Sequence, residues 1–141
     1  MIEPTDPFAT LIDADALPWA SSRAGTGFKL LRVSEETGAW SALIRADAGI
    51  VNPAHRHLGP ADFYVLSGSM EYRGGTATAG CWVYEPAGAT HAATTHPEPT
   101  VYLANVYGPI AFFDGDGRVV SVVDGAAMKA LAQSDPTHKS S

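Results

Sequence analysis

With 141 residues, 45% of them apolar, the chain has the size and composition of one globular domain with a buried core, and no room for a second catalytic domain. Nine Lys and Arg against fifteen Asp and Glu give a formal net charge of −6; this repels nucleic-acid phosphates and anionic membranes, so neither is expected as a partner, and small molecules, a cation or further subunits remain. The one cysteine, Cys81, excludes an intrachain disulfide framework and reads as a small buried hydrophobe in a reducing compartment.

The N-terminal Met-Ile-Glu-Pro-Thr-Asp is acidic where a secretory signal is basic, and no apolar run approaches the ~20 residues that span a bilayer, so the chain reads as cytoplasmic. Residues 1–27 read as an N-terminal extension or edge strand. Beyond them glycine and proline punctuate short β-branched or aromatic pieces, the pattern of an all-β sandwich or barrel. Strands are predicted over residues 28–33 and 39–45, around a turn at Glu35-Glu36-Thr37-Gly38. Further strands follow at 63–66, 69–72, 81–85, 100–107 and 110–113, with Arg73-Gly74-Gly75 as a hairpin turn. Asp114-Gly115-Asp116-Gly117 leads into a last β-branched run at 118–123; it lacks the distal Glu and flanking helices of a calcium loop and reads as a turn. Residues 125–133, rich in Ala, Leu, Met and Lys, form the one predicted helix, and the polar residues after it form a tail. The β domain thus occupies 28–124, and the helix and tail 125–141.

The chemistry-bearing stretch runs from Gly49 to Gly68 and contains His55-Arg56-His57. In extended chain, a two-residue spacing puts both imidazoles on one face with Arg56 on the other. A second stretch, from Gly80 through Pro86-Ala87-Gly88 to His91, ends in a histidine after a turn that can deliver a third imidazole to the same point. Neutral imidazoles are the commonest protein ligands of first-row transition metals.

These two stretches resemble the two cupin motifs. The first has glycine, five residues, His-x-His, four residues, an acidic residue and a downstream glycine; Asp62 stands where glutamate is usual, and the closing glycine comes one residue early. The second has glycine, five residues, Pro-x-Gly, two residues and His, with Thr95 in place of a closing asparagine. The resemblance implies a cupin double-stranded β-helix, a jelly-roll barrel with inward-facing ligands. Its metal would be held by His55, His57 and His91, with no carboxylate ligand, since Asp62 is one methylene shorter than glutamate.

The segments 55–60, 68–75 and 107–117 are similar to the acetylacetone-cleaving (β-diketone) dioxygenases, and Tyr84-Glu85-Pro86 and residues 28–32 are similar to 2,4'-dihydroxyacetophenone dioxygenase-like and ChrR-like cupins. This resemblance implies a non-haem Fe(II) centre that binds a small ketone as its enolate and uses O2 to break a carbon–carbon bond. Zn, Ni or Mn are the other ions such a ligand set takes. Glu85 and Arg73 correspond to polar residues beside the metal in that family, with a catalytic or orienting role, and Thr94 corresponds to a cavity residue. Aromatic pocket positions of those enzymes fall here on Asn52, Tyr102 and Val106, and a pocket tyrosine falls on Phe63, so the cavity should differ in size and polarity.

Other residues carry plainer readings. His96, in Thr-Thr-His-Pro-Glu-Pro, reads as a solvated loop histidine, His138 as a tail residue, and Trp19, Trp40, Trp82, Tyr64 and Phe112 as core or subunit-interface aromatics. Two other functions remain open: a ChrR-like metal-binding sensor, disfavoured because little chain precedes the barrel to form a sigma-binding domain, and a metal-dependent hydrolase or isomerase on the same histidines. Exposed β edges and outer aromatics point to a homodimer or homotetramer.

Overall fold

β-branched and aromatic residues alternating with polar ones make half-buried strands, and here they assemble into a computed structural model that describes residues 10–21, 23–91 and 93–134, with His91 described through its backbone alone. In chain order the strands are β1 (Thr26–Val33), β2 (Trp40–Ala46), β3 (Val51–Asn52), β4 (His55–His57), β5 (Ala61–Ser67), β6 (Ser69–Tyr72) and β7 (Gly75–Thr78). They continue with β8 (Trp82–Glu85), β9 (Thr90–His91), β10 (Thr94–Thr95), β11 (Thr100–Val106), β12 (Ile110–Phe113) and β13 (Val119–Val123), and the helix α1 (Gly125–Ser134) closes the described chain.

All the pairings are antiparallel. One sheet runs β1-β2-β11-β5-β8 and another β13-β12-β4-β9, with two-stranded ribbons β10-β3 and β6-β7 completing the molecule. This is the cupin jelly roll, all-β with one short C-terminal helix. β1 starts at Thr26 rather than at residue 28, because Thr26 and Gly27 already pair with Ala46 and Arg45 of β2. Strands β3, β9 and β10 have two residues each, too few for any alternation to show in the sequence.

The inner faces of both large sheets make the core: Phe28, Trp40, Val65, Tyr102, Val106 and Ile110 all belong to one buried cluster. In β11 the alternation is complete, with Tyr102, Ala104 and Val106 inside and the residues between them half-buried. Asp124 caps α1 by accepting from the Ala127 N–H at 2.8 Å, and Met128 and Ala132 turn inward. No helix among the described residues is long and apolar enough to cross a membrane.

Gly68, between β5 and β6, has φ +81, and a Cβ there would lie 2.1 Å from the Pro99 carbonyl oxygen. Only glycine fits both the conformation and the space.

Candidate metal centre and its cavity

β4 alternates buried, exposed, buried. His57 is 0% exposed and His55 8%, while Arg56 faces outward, as a two-residue period requires. The two rings are edge to face with centroids 4.9 Å apart. That separation fits a shared cation: an ion about 2.1 Å from each nitrogen lies about 3.2 Å from each ring centroid, so ligand angles of about 90–110° require centroids about 4.5–5.2 Å apart. His55 Nδ1 donates to the Pro53 carbonyl at 2.8 Å. A carbonyl can only accept, so Nδ1 holds the proton and Nε2 is the basic nitrogen, the tautomer that metal-binding histidines commonly adopt.

The second motif docks on the first through backbone bonds. Pro86-Ala87-Gly88-Ala89 closes as a turn, Ala89 N–H to Pro86 carbonyl at 3.0 Å, with Gly88 at φ +84. The Gly88 N–H donates to the His57 carbonyl, and the His57 N–H donates to the Ala89 carbonyl at 2.9 Å. β9 then pairs with β4 in a register that sets His91 opposite His55. The His91 side chain lies outside the described residues, as does all of His138. Among the described residues no three His, Cys, Asp or Glu side chains gather, so the described part of the centre is the imidazole pair.

Both imidazoles border a cavity of about 460 Å³ between the sheets. Its wall is mostly apolar, and Asn52, Phe63, Thr94, Tyr102 and Val106 all border it. The Phe63 ring stands 6.0 Å from His57 and 5.8 Å from Tyr102, so it lies between the imidazoles and the tyrosine. Burial raises the Tyr102 pKa above its usual 10.0, against a hydrogen bond from Asn52 and the charge of Arg23.

Glu85 and Arg73 form a cluster with Tyr72 beside the cavity. Glu85, on the inner face of β8, is 1% exposed. It accepts from the Tyr72 hydroxyl and from Arg73 Nη2 at 3.1 Å. The same guanidinium reaches the Thr90 carbonyl at 3.3 Å, one residue before His91. Arg73 sits in the two-residue hairpin turn at φ 46, followed by Gly74 at φ 80, the left-handed pair a primed turn needs. Burial first, then the bond to Glu85, raises the Tyr72 pKa, and Arg73 pulls it the other way. Neither Glu85 nor Arg73 borders the cavity, whereas Tyr72 does. Tyr72 thus connects the ion pair to the interior and was missed by the sequence reading, although the alternation Ser69-Met70-Glu71-Tyr72 already places Met70 and Tyr72 on one face. Arg23 also borders the cavity and was missed; its bond to Asn52 spans 29 positions and leaves no local signal.

Asp62 is turned away from the centre. Its carboxylate accepts from Asn105 at 3.0 Å and from Tyr107 at 3.2 Å on the outer face of the sheet. His96 corrects the expectation of a solvated loop residue: it is 0% exposed, and its Nδ1 donates to the Ile50 carbonyl at 2.8 Å, tying two loops together. Cys81 is half-buried rather than buried. Of the tryptophans, Trp40 is in the core and Trp82 is 62% exposed, while Trp19 lies under Lys29 and Arg45.

Residues 8–111 match the family described as the ChrR Cupin-like domain. The chain belongs to that cupin family. This cupin is 34% identical over 112 residues to the acetylacetone-cleaving enzyme of Acinetobacter johnsonii, covering 75% of this chain and 73% of that one. Its fold superposes on a candidate acetylacetone dioxygenase from Methylibium petroleiphilum PM1 with a TM-score of 0.82 and 31% identity, over 86% of this chain and 92% of the other. The acetylacetone dioxygenase structure from Acinetobacter johnsonii gives 0.76 and 28%, over 87% and 89%.

Proposed function

We propose that this cupin is a non-haem Fe(II)-dependent dioxygenase that uses O2 to cleave a carbon–carbon bond in a small β-diketone or hydroxyketone. The observation that carries the reading is the buried pair His55 and His57, spaced for one cation, on the wall of a cavity of about 460 Å³. The identity to an acetylacetone-cleaving enzyme supports the reaction type. His91, at the register position opposite His55, is the third ligand in this proposal.

When bound, a ferrous ion supplies Lewis-acid polarisation of the ketone oxygens and a redox partner for O2. The chain's own residues do the rest. Neutral imidazoles leave the ion its full double charge, and the Pro53 carbonyl fixes the His55 tautomer that presents Nε2. The apolar wall, with Phe63 and Phe112 against the two imidazoles, keeps water from the reacting ketone. Glu85 and Arg73 act through contacts: Arg73 holds the strand that ends at His91, and together with Glu85 it fixes the Tyr72 side chain on the cavity wall.

The test is anaerobic reconstitution with Fe(II), followed by oxygen uptake against a panel of β-diketones and α-hydroxyketones. Stoichiometric oxygen consumption with carboxylic-acid products is the expected result; no uptake with any member overturns the proposal. The family match to a ChrR-like domain favours a second reading, a metal-responsive module acting on a protein partner. Metal-dependent partner binding without oxygen uptake would establish it. Iron is the proposed ion over Zn, Ni or Mn, and metal analysis after purification without a tag or chelator decides between them.

Tyr64, Leu66, Trp82 and Tyr84 crowd the outer face of β5 and β8, 44–62% exposed, and Tyr64 is the cross-strand partner of Trp82. Such an apolar patch supports a homodimer or homotetramer. Sedimentation at micromolar concentration tests it, with a monomer as the overturning result.

A further inference from the structure

Three polar side chains are joined on the cavity wall. Arg23 Nη2 donates to Asn52 Oδ1 at 2.9 Å, and the Asn52 side chain is hydrogen-bonded to Tyr102. Because Oδ1 is the atom facing Arg23, the amide nitrogen is the end presented to Tyr102, which leaves the Tyr102 hydroxyl hydrogen to be directed at a ligand. All three side chains border the cavity that also holds His55 and His57. They come from separate places, a loop before β1, strand β3 and strand β11, so the fold gathers them rather than local sequence.

The charge of the lining points the same way. The chain carries more acidic than basic residues, fifteen to nine, yet among the described residues no carboxylate lines the cavity, while two arginines do, Arg23 and Arg45. Arg45 is already paired with Asp47 at 3.3 Å, whereas Arg23 is bonded to the neutral Asn52 and keeps its charge for an anion. An arginine offers five N–H donors in a fork that matches a carboxylate, and Arg23 spends one arm on Asn52. The volume is in the range of sites that take drug-sized ligands, more than a molecule as small as acetylacetone fills.

We infer that the site takes an enolisable ketone with an apolar body and a carboxylate, the carboxylate held at the Arg23–Asn52–Tyr102 cluster while the dicarbonyl faces the imidazoles. The inference rests on reading this cavity as the substrate site. Arg23 is then a specificity-determining residue at the mouth of the cavity: its charge and planar fork favour a carboxylate over a neutral analogue that offers it no charge.

The test uses two probes, benzoylacetone carrying a para-carboxylate on its ring and the same molecule with a para-carboxamide, titrated calorimetrically into the metal-loaded protein without oxygen. The carboxylate is expected to bind at least about tenfold more tightly, a preference that weakens with salt. Arg23→Gln should abolish the preference, chiefly by weakening the carboxylate probe, and Arg23→Lys should retain part of it; Arg23 is exposed, so these variants keep the fold. Equal affinities in the parent protein, a preference that survives in Arg23→Gln, or no binding of either probe overturns the inference. Admitting oxygen to the Fe(II)-loaded protein separates the two readings. Turnover of both probes without preference keeps the dioxygenase and removes the carboxylate site, whereas binding preference without turnover keeps the site and removes the dioxygenase.

Discussion

The Gly88 N–H donates to the His57 carbonyl at 2.6 Å, so the turn of one motif is fastened to the backbone of a proposed ligand in the other. Gly88 holds φ +84 to do this, and any other residue pays about 1–3 kcal/mol of strain there. Gly88→Ala is therefore expected to weaken metal binding as well as stability, although its side chain would not touch the ion. Metal titration of the folded variant checks it, and unchanged affinity would show that the turn does not position β9.

Removing any one of His55, His57 or His91 as alanine should weaken metal binding by at least about 100-fold, since the loss of a ligand exceeds the ~10–100-fold effect of an orienting neighbour. Circular dichroism should still report the β fold, because the core cluster is built from other residues. Full metal occupancy in any of the three, measured by plasma mass spectrometry, would remove that residue from the ligand set.

Tyr72→Phe removes the hydroxyl that donates to Glu85, and Glu85→Gln leaves one acceptor oxygen where Tyr72 and Arg73 now use two. Both should keep metal and lose about 10–100-fold in turnover. Wild-type rates in both variants would make the cluster a brace for β9 and nothing more. A rate loss in Tyr72→Phe alone would place the function on the Tyr72 hydroxyl.

Tyr102 makes stability fall at alkaline pH. Its folded pKa is raised above the 10.0 of the free side chain, chiefly by burial, so above pH 10 the unfolded chain releases this proton while the folded chain retains it. The unfolded state then binds fewer protons, and stability is lost as pH climbs from 10 toward the folded value, by up to about 1.4 kcal/mol per pH unit for this one group. Tyr102→Phe should flatten that part of the profile in urea titrations at pH 9 to 11. An unaltered slope would assign the alkaline loss to other tyrosines.

Chelation should lower the unfolding midpoint reversibly. A metal held at 100 times its dissociation constant adds about 2.7 kcal/mol to the folded state by mass action. An unfolding temperature indifferent to both chelator and restored Fe(II) would contradict a metal centre in the folded protein.

The long strands were legible because each carries enough alternation to declare its inner face: β6 and β12 occupy the predicted residues, and β11 ends one residue short of the prediction. The burial of His55 and His57 on one face was legible for the same reason, a period of two. What escaped depended on distance in the chain. Thr-Thr-His-Pro-Glu-Pro reads as a solvated loop, and nothing local announces that Ile50 accepts from the His96 ring and buries it. Arg23 shows nothing until Asn52 is beside it. Tyr72 is a different case, since its inward face followed from the alternation of β6; the resemblance drew attention to the charged residues on either side of its contact and away from the hydroxyl between them.

Met128 and Leu131 of α1 line the chamber that also holds the imidazole-bearing strand. Helix residues can be resized without altering any inter-strand register, so in the proposed enzyme the length of molecule admitted and the chemistry performed on it are set by separate parts of the chain. Shortening Leu131 to alanine makes room at the far wall while β4 keeps its ladder, and relatives of this cupin can thus diverge in what they accept while retaining one way of acting on it.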